Sequence, residues 1–136
     1  MPDPRHPRGL ADTGVVIDLE KIDPGELPVE VAISTVTLAE LAAGPHVSRD
    51  SEERARRQDR LQRAEATFEA LPFDAAAARA YGRIYANVLA AGRKARGRRA
   101  LDLLIAATAL AAELPLYTRN PDDFDDLNDL LEIVPI

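Results

Sequence analysis

Short apolar segments typical of β-strands alternate with helical patterns along the chain, and this alternation limits the fold more than any other feature. The predicted strands are residues 8–12, 29–34, 71–73, 114–118 and 133–136. The predicted helices are residues 36–43, 49–70, 75–91 and 100–112, with short helical turns after residues 12 and 120. Strands that alternate with helices indicate a mainly parallel sheet covered on both faces. We therefore expect an α/β protein with a three-layer α/β/α sandwich.

Several helix ends are marked by residues that favour them. Ser34 or Thr35 can cap a helix that should stop at Gly44-Pro45, and Asp74 can cap the next helix but one. The last strong helix, residues 100–112, is apolar apart from Asp102 and Thr108, so it should be buried nearly all round. No repeat or linker divides the chain, which favours one domain over residues 1–136.

Composition narrows the class of protein and the kind of metal site. The chain has 136 residues, 46% hydrophobic and 29% charged, which is typical of a globular domain. It has no cysteine and only two histidines, so any bound metal should be held by oxygen ligands. The N-terminal segment lacks the apolar stretch of a secretory signal, and no apolar run is both long and uncharged enough to span a membrane, so we expect a cytoplasmic protein without membrane contact.

Four carboxylates lie among apolar neighbours or directly after predicted strands: Asp12, Glu40, Asp102 and Asp123. Each has an ordinary alternative when taken alone. The first can be a helix cap, the second a solvated surface acid, the third a first-turn acid favoured by the helix dipole, and the fourth part of a solvated acidic loop. Ligands of open parallel sheets bind at the carboxyl ends of the strands, where all four can converge.

Converging carboxylates repel one another unless protons or a cation offset their charge. At about 4 Å two of them repel by roughly 4 kcal/mol at an effective dielectric constant of 20. A hard divalent cation such as Mg²⁺ or Mn²⁺ relieves this repulsion and suits an all-oxygen ligand set. The pattern therefore favours metal-assisted hydrolysis of a phosphodiester.

Four segments carry a resemblance to a known family. They are residues 11–17 (ADTGVVI), 33–41 (ISTVTLAEL), 102–109 (DLLIAATA) and 116–124 (LYTRNPDDF). In this order and at these separations, the chain resembles the PIN-domain ribonucleases, specifically the VapC toxins of toxin–antitoxin pairs. The resemblance implies a metal-dependent endoribonuclease that hydrolyses RNA, with transfer or ribosomal RNA as the expected substrate.

The resemblance also implies roles for the site residues. Asp12 and Asp102 would be the principal ligands of Mg²⁺, with Mn²⁺ able to substitute, while Glu40 and Asp123 complete the acidic pocket. Thr13 and Asn120 would orient the carboxylates or a metal-bound water.

Two positions depart from the family pattern. Gly14 stands where relatives usually carry a hydroxyl residue, and Asn120 stands where many carry aspartate. These departures make weaker activity, or a greater demand for metal, conceivable.

The family further implies a small cognate antitoxin, which blocks the acidic pocket with a basic side chain, and a toxin homodimer. The sparse apolar face of residues 49–70, formed by Ala55, Leu61, Ala64 and Phe68, is one candidate contact surface. Tyr81, Tyr85 and Val88 form another. Core packing is the alternative use of both stripes.

A basic run precedes the helix that carries Asp102 and is a candidate contact for RNA phosphates. Its members are Arg93, Lys94, Arg96, Arg98 and Arg99. A solvated loop is the alternative.

Two other classes of function stay open at this point. A catalytically silent PIN-like module that only binds its antitoxin or RNA is conceivable because of Gly14 and Asn120. A phosphatase-like or receiver-like domain also collects acids at strand ends. The second is disfavoured because the only lysines, Lys21 and Lys94, do not lie near the last strands.

Overall fold

The computed structural model describes residues 3–136, and Met1 and Pro2, with which the predicted domain begins, lie outside the described residues. The strands are β1 (Arg8–Ala11), β2 (Glu30–Ser34), β3 (Glu69–Leu71), β4 (Leu116–Thr118) and β5 (Ile133–Pro135). The α-helices are α1 (Thr13–Ile17), α2 (Thr35–Val47), α3 (Ser51–Thr67), α4 (Ala75–Ala90) and α5 (Arg98–Ala111). Three short 3₁₀ helices cover Leu19–Lys21, Pro24–Glu26 and Pro121–Leu127.

The five strands form one parallel sheet in the order β3-β2-β1-β4-β5. In the register of the central strands, Leu10 of β1 lies beside Ala32 of β2 and Leu116 of β4. The strand order changes direction between β1 and β4, so the carboxyl ends of these two strands flank the crevice where such sheets bind ligands. The predicted α/β/α sandwich is confirmed.

Two hydrophobic cores lie on opposite faces of this sheet. Leu10 and Ala32 belong to the core that contains α4 and α5, whereas their neighbours Ala11 and Ile33 belong to the core of α1, α2 and α3. This alternation follows from the two-residue period of a strand. Among residues 3–136, no helix is long and apolar enough to cross a membrane.

The predicted end of α2 at Gly44-Pro45 is wrong, because the helix continues through this pair to Val47. Proline lacks an N–H group, so the interruption costs one backbone hydrogen bond near the end of the helix. Pro45 is buried where α2 packs against α3, and Arg57 of α3 donates a 2.8 Å hydrogen bond to the Gly44 carbonyl. Packing between the two helices therefore outweighs the local stop signal.

The other boundaries differ from prediction by a few residues. β3 ends at Leu71 rather than beginning there, since Pro72 has no N–H to donate to the sheet. α3 begins at Ser51 because Asp50 accepts a hydrogen bond from the Glu53 amide and caps it. α5 starts two residues earlier than predicted, after Gly97, whose φ of 59° favours glycine.

Candidate active site

The candidate site lies at the carboxyl ends of β1 and β4. Asp12 directly follows β1, and its backbone N–H donates a 3.0 Å hydrogen bond to the Tyr117 carbonyl of β4. This bond places the Asp12 side chain next to Thr118, the last residue of β4. The sheet thus fixes the first predicted site residue at the point where the strand order reverses.

Asp12 is both a helix cap and a buried acid. One carboxylate oxygen of Asp12 accepts a 3.0 Å hydrogen bond from the Val15 amide and so caps α1. The helix-cap alternative for Asp12 is thus confirmed. The residue is only 6% exposed. Burial raises the pKa of the Asp12 carboxyl, the Thr118 hydroxyl and the Val15 amide oppose that rise, and the nearby charge of Glu40 adds to it. The helix cap therefore does not by itself account for a buried carboxylate with a raised pKa at this position.

Glu40 reaches the site from α2 and is held by a threonine pair. The Thr13 hydroxyl donates a 2.7 Å hydrogen bond to Oε1 of Glu40. The same hydroxyl lies 3.0 Å from the buried Thr37 hydroxyl, one helical turn before Glu40. Glu40 is half-buried, so the alternative of an ordinary solvated glutamate does not describe it.

Asp102 lies in the second turn of α5, because that helix begins at Arg98. The alternative explanation, a first-turn acid favoured by the helix dipole, is therefore wrong. The pKa of the Asp102 carboxyl is raised to about 6, first by burial and then by the charges of Glu40, Asp12 and Asp123, against a smaller opposing effect of Arg98. Asp102 thus lies within electrostatic reach of the other three predicted acids.

Asp123 lies in the 3₁₀ turn after β4 and is exposed. Its charge nevertheless contributes to the raised pKa of both Asp12 and Asp102, so it lies within electrostatic reach of these two acids. Asn120 is exposed at the entrance to this turn, and its backbone amide donates a 3.0 Å hydrogen bond to the Thr118 hydroxyl. The fold places the other three acids within electrostatic reach of Asp102, while the predicted orienting role of the Asn120 side chain stays a prediction.

Two hydroxyl residues beside the acids were missed by sequence reasoning. Thr118 interacts with Asp12, and Thr37 contacts the hydroxyl of Thr13. Both positions carried a usable signal. Thr118 ends a strand that adjoins β1, and Thr37 precedes Glu40 by three residues on α2 and so shares its face.

The basic run divides into two groups. Arg93 and Arg99 approach the buried carboxylate of Asp126 to 3.6 and 2.9 Å, so both lie in ion pairs within the chain. The remaining members, Lys94, Arg96 and Arg98, are exposed. Arg98 lies one helical turn before Asp102 and lowers its pKa, which places this exposed cation at the rim of the acidic pocket.

The two predicted contact stripes are partly core. Val88 is fully buried and Ala64 is 3% exposed, whereas Ala55 and Tyr85 are exposed. The rings of Tyr81 and Tyr85 lie 6.0 Å apart on α4. The outward-facing residues of these stripes stay available to a partner.

The donor set fits a hard divalent cation. Carboxylate oxygens are the ligands that Mg²⁺ prefers, and Asp12 and Asp102 are acids whose pKa values are raised by burial and by neighbouring carboxylates. Across residues 3–136, no three acidic or histidine side chains lie close enough together to hold a metal ion as a group. Mg²⁺ commonly binds through one or two carboxylates and keeps several waters, so Asp12 and Asp102 suffice as its protein ligands.

The family model of the PIN domain matches residues 10–130. This match includes all five helices, the four acids and both hydroxyl residues. The chain belongs to the PIN domain family, and the phosphatase-like and receiver-like alternatives are thereby set aside.

Individual relatives are similar over almost the whole chain. Ribonuclease VapC5 of Mycobacterium tuberculosis is 37% identical over 123 residues, which cover 88% of this chain and 87% of the relative. The crystal structure of VapBC-5 from the same organism matches with a TM-score of 0.84 and 36% identity, covering 96% and 99% of the two chains. VapBC2 of Rickettsia felis, bound to a DNA fragment from its promoter, matches with a TM-score of 0.74 and 25% identity, covering 92% and 96%.

Proposed function

We propose that this protein is a metal-dependent endoribonuclease toxin that hydrolyses RNA phosphodiester bonds and is neutralised by a cognate antitoxin. The observation that carries the proposal is the placement of Asp12 and Asp102 near the strand-order reversal, where burial and the charge of neighbouring carboxylates raise both pKa values. Relatives that are 37% and 39% identical bear the name ribonuclease VapC, which supports the same reaction class.

Each acid has a defined part in this proposal. Asp12 and Asp102 would hold Mg²⁺ or Mn²⁺, and the bound cation would supply a nucleophilic water at neutral pH and offset the charge of the phosphate. Thr13 holds Glu40 in one orientation through the 2.7 Å hydrogen bond. Asp123 adds a further negative charge near Asp12 and Asp102 from the 3₁₀ turn. Asp12 is itself fixed by the α1 cap, so the ligand set is pre-organised before substrate arrives.

The RNA substrate is positioned by the exposed part of the basic run. Arg98 lies at the pocket rim, and Lys94 and Arg96 extend the positive surface along the preceding loop. Cations in such a row bind backbone phosphates without reading sequence. Structured RNAs such as transfer or ribosomal RNA, cut at unpaired sites, are the proposed substrate class.

The antitoxin is proposed to bind a groove between α1 and α3. This groove, of about 380 Å³, has Val16, Ile17, Ala64 and Phe68 on its apolar side and Arg56, Asp59, Arg60 and Arg63 on its polar side. It begins in the helix that Asp12 caps, so a segment seated there can extend a basic side chain toward the acids. An arginine satisfies two carboxylates with bidentate hydrogen bonds and thereby displaces a cation.

The proposed homodimer uses the outer face of α4. Tyr85 and Leu89, one helical turn apart, are 41% and 58% exposed, which is unusual for large apolar side chains that have no partner. This face of α4 contains none of the four acids, so a dimer formed through it does not use them as contacts.

The test of the nuclease is cleavage of a pool of structured cellular RNAs by the purified, antitoxin-free protein in Mg²⁺ or Mn²⁺. We expect cutting that EDTA and Asp102→Asn both abolish. Cutting that persists with Asp102→Asn or Asp12→Asn overturns the assignment of the metal site. Addition of the cognate antitoxin should stop cleavage, and Ile17→Asp in the groove should reduce that inhibition while cleavage continues.

The silent binding module is the competing outcome. It predicts no cleavage of any RNA in the pool together with no calorimetric signal for Mg²⁺ or Mn²⁺ binding. Metal binding without cleavage instead indicates an active site whose RNA target is missing from the pool.

A further inference from the structure

The guanidinium of Arg99 connects the helix of one acid to the turn of another. Arg99 lies in the first turn of α5, three residues before Asp102. Its Nη1 donates a 2.7 Å hydrogen bond to the backbone carbonyl of Asp123, and its Nη2 lies 2.9 Å from Oδ2 of Asp126. One side chain therefore contacts both the residue that carries the exposed acid and the buried acid three positions later.

The contact is buried and specific. The side chains of Arg99 and Asp126 are 16% and 6% exposed. In the described part of the chain, Nε of Arg99 is buried and has no hydrogen-bond partner. A buried donor left unpaired costs free energy. The guanidinium leaves Nε unpaired, so its orientation is set by the contacts of its other nitrogens with Asp126 and the Asp123 carbonyl.

Apolar anchors hold this 3₁₀ turn but do not fix Asp123. Phe124 and Leu127 are buried in the core beneath α4 and α5. They secure the turn as a body, while the Asp123 side chain points away from that core and is exposed. The hydrogen bond from Arg99 is made to the backbone carbonyl of Asp123 itself. The backbone amide of Asp123 donates a 3.1 Å hydrogen bond to the Asn120 carbonyl.

The ion pair also keeps the cation away from the pocket. A guanidinium beside a cluster of carboxylates binds them readily, as a fork of donors that competes with a metal. Nη2 of Arg99 donates hydrogen bonds to both carboxylate oxygens of Asp126. The positive charge of Arg99 is therefore paired with Asp126 and not with the acids of the pocket. Arg93, which approaches Asp126 to 3.6 Å, makes the only other described ion pair with this carboxylate.

We infer that Arg99, paired with Asp126, is a positioning residue that holds Asp123 near Asp102 at the proposed metal pocket. The inference rests on the proposed function, since it assigns Asp123 a part in binding the cation. It reassigns one member of the basic run from RNA contact to the assembly of the acidic site.

The test uses a charge-balanced pair of substitutions. Arg99→Met alone leaves Asp126 buried without its main partner and is expected to destabilise the protein strongly. The double variant Arg99→Met/Asp126→Asn removes both charges, so the fold survives while the bond to the Asp123 carbonyl is lost. Arg93→Met is the matched control, because it removes a cation from the same carboxylate without touching Asp123.

Two readouts on the RNA-free protein test the role. The first is Mn²⁺ affinity by calorimetry, which we expect to fall by about 10-fold in the double variant, as is typical for residues that orient metal ligands. The second is hydrogen exchange at the Asp123 amide, which should become several-fold faster. Arg93→Met should match the wild type in both, and Asp123→Asn added to the double variant should weaken Mn²⁺ binding no further.

The outcomes separate this inference from the proposed function. A folded double variant with wild-type Mn²⁺ affinity and exchange overturns the positioning role, as does a full additional loss from Asp123→Asn. If Asp12→Asn and Asp102→Asn bind Mn²⁺ as well as the wild type, the proposed metal site is wrong and the inference falls with it. If those two lose binding while the double variant does not, only the inference is wrong.

Discussion

The Thr13 hydroxyl donates a 2.7 Å hydrogen bond to Oε1 of Glu40 and thereby joins α1 to α2 above the carboxyl ends of β1 and β2. Thr13 directly follows Asp12, so the same short segment places one acid and orients another. The Thr37 hydroxyl, 3.0 Å away, limits the rotation of the Thr13 side chain. Two of the four acids are thus positioned relative to each other by one threonine.

Replacing Thr13 by valine should loosen Glu40 while preserving side-chain shape. A hydrogen bond to a charged group contributes about 1.5–3 kcal/mol to stability. Because Glu40 is only half-buried, we expect the free energy of unfolding to fall by about 1.5 kcal/mol. Urea denaturation measures this loss, and Mn²⁺ titration should give roughly 10-fold weaker binding. Thr13→Ser, which keeps the hydroxyl, is the control. Equal effects of serine and valine would contradict the orienting role.

Asp102→Asn should stabilise the metal-free protein at neutral pH. The folded-state pKa of Asp102 is about 6, above its ordinary value of 3.8, so the folded protein binds a proton more tightly than the unfolded chain. Stability of the wild type therefore falls as pH rises from about 4 to about 6, and the loss is complete above the folded pKa. The shift corresponds to at most about 3 kcal/mol, and partial solvent exposure reduces this to about 1–2 kcal/mol.

Thermal unfolding in EDTA between pH 4 and pH 8 checks this prediction. The asparagine variant should be more stable than the wild type at pH 7, and the two should converge toward pH 4. A variant that is less stable than the wild type at pH 7 would contradict the assignment of repulsion at this position.

Divalent cations should stabilise the wild type and not Asp12→Asn. A cation at tenfold its dissociation constant contributes about 1.4 kcal/mol to the folded state. The stabilisation should shrink below pH 6, because protons compete for Asp102. Melting curves in Mg²⁺, compared with NaCl of equal ionic strength, measure the effect. An equal rise in the variant would indicate that the cation binds elsewhere.

Gly14→Ser should be accepted without strain. A Cβ at Gly14 would lie 3.6 Å from Oδ1 of Asp12, an ordinary contact distance, so the hydroxyl of serine can reach that carboxylate. Serine also favours helix over glycine by about 0.5 kcal/mol. We expect a small gain in melting temperature and unchanged or tighter Mn²⁺ binding. Gly14→Ala separates the effect on helix stability from the effect of the hydroxyl. If Gly14→Ala tightens Mn²⁺ binding and Gly14→Ser does not, a hydrogen bond from serine to Asp12 is contradicted.

The order of the elements and the four acids were predictable from local patterns. Apolar period and cap residues describe interactions within a few positions of the chain, and these decide strand or helix wherever packing agrees with them. Asp102 stood out because a single acid in an apolar helix has few explanations. Its neighbours in the pocket, Thr37 and Thr118, were overlooked because neither looks unusual beside its sequence neighbours.

Long-range packing decided the rest. α2 passes through Gly44-Pro45 because its burial against α3 outweighs one lost hydrogen bond. Arg99 was grouped with the RNA contacts by its place in a basic run, but it binds Asp126, which is 27 positions further along the chain. A charged residue has the same local pattern whether it faces water or a buried carboxylate. Which of the two it meets depends on how α5 and the turn after β4 lie against each other, and only the folded chain sets that arrangement.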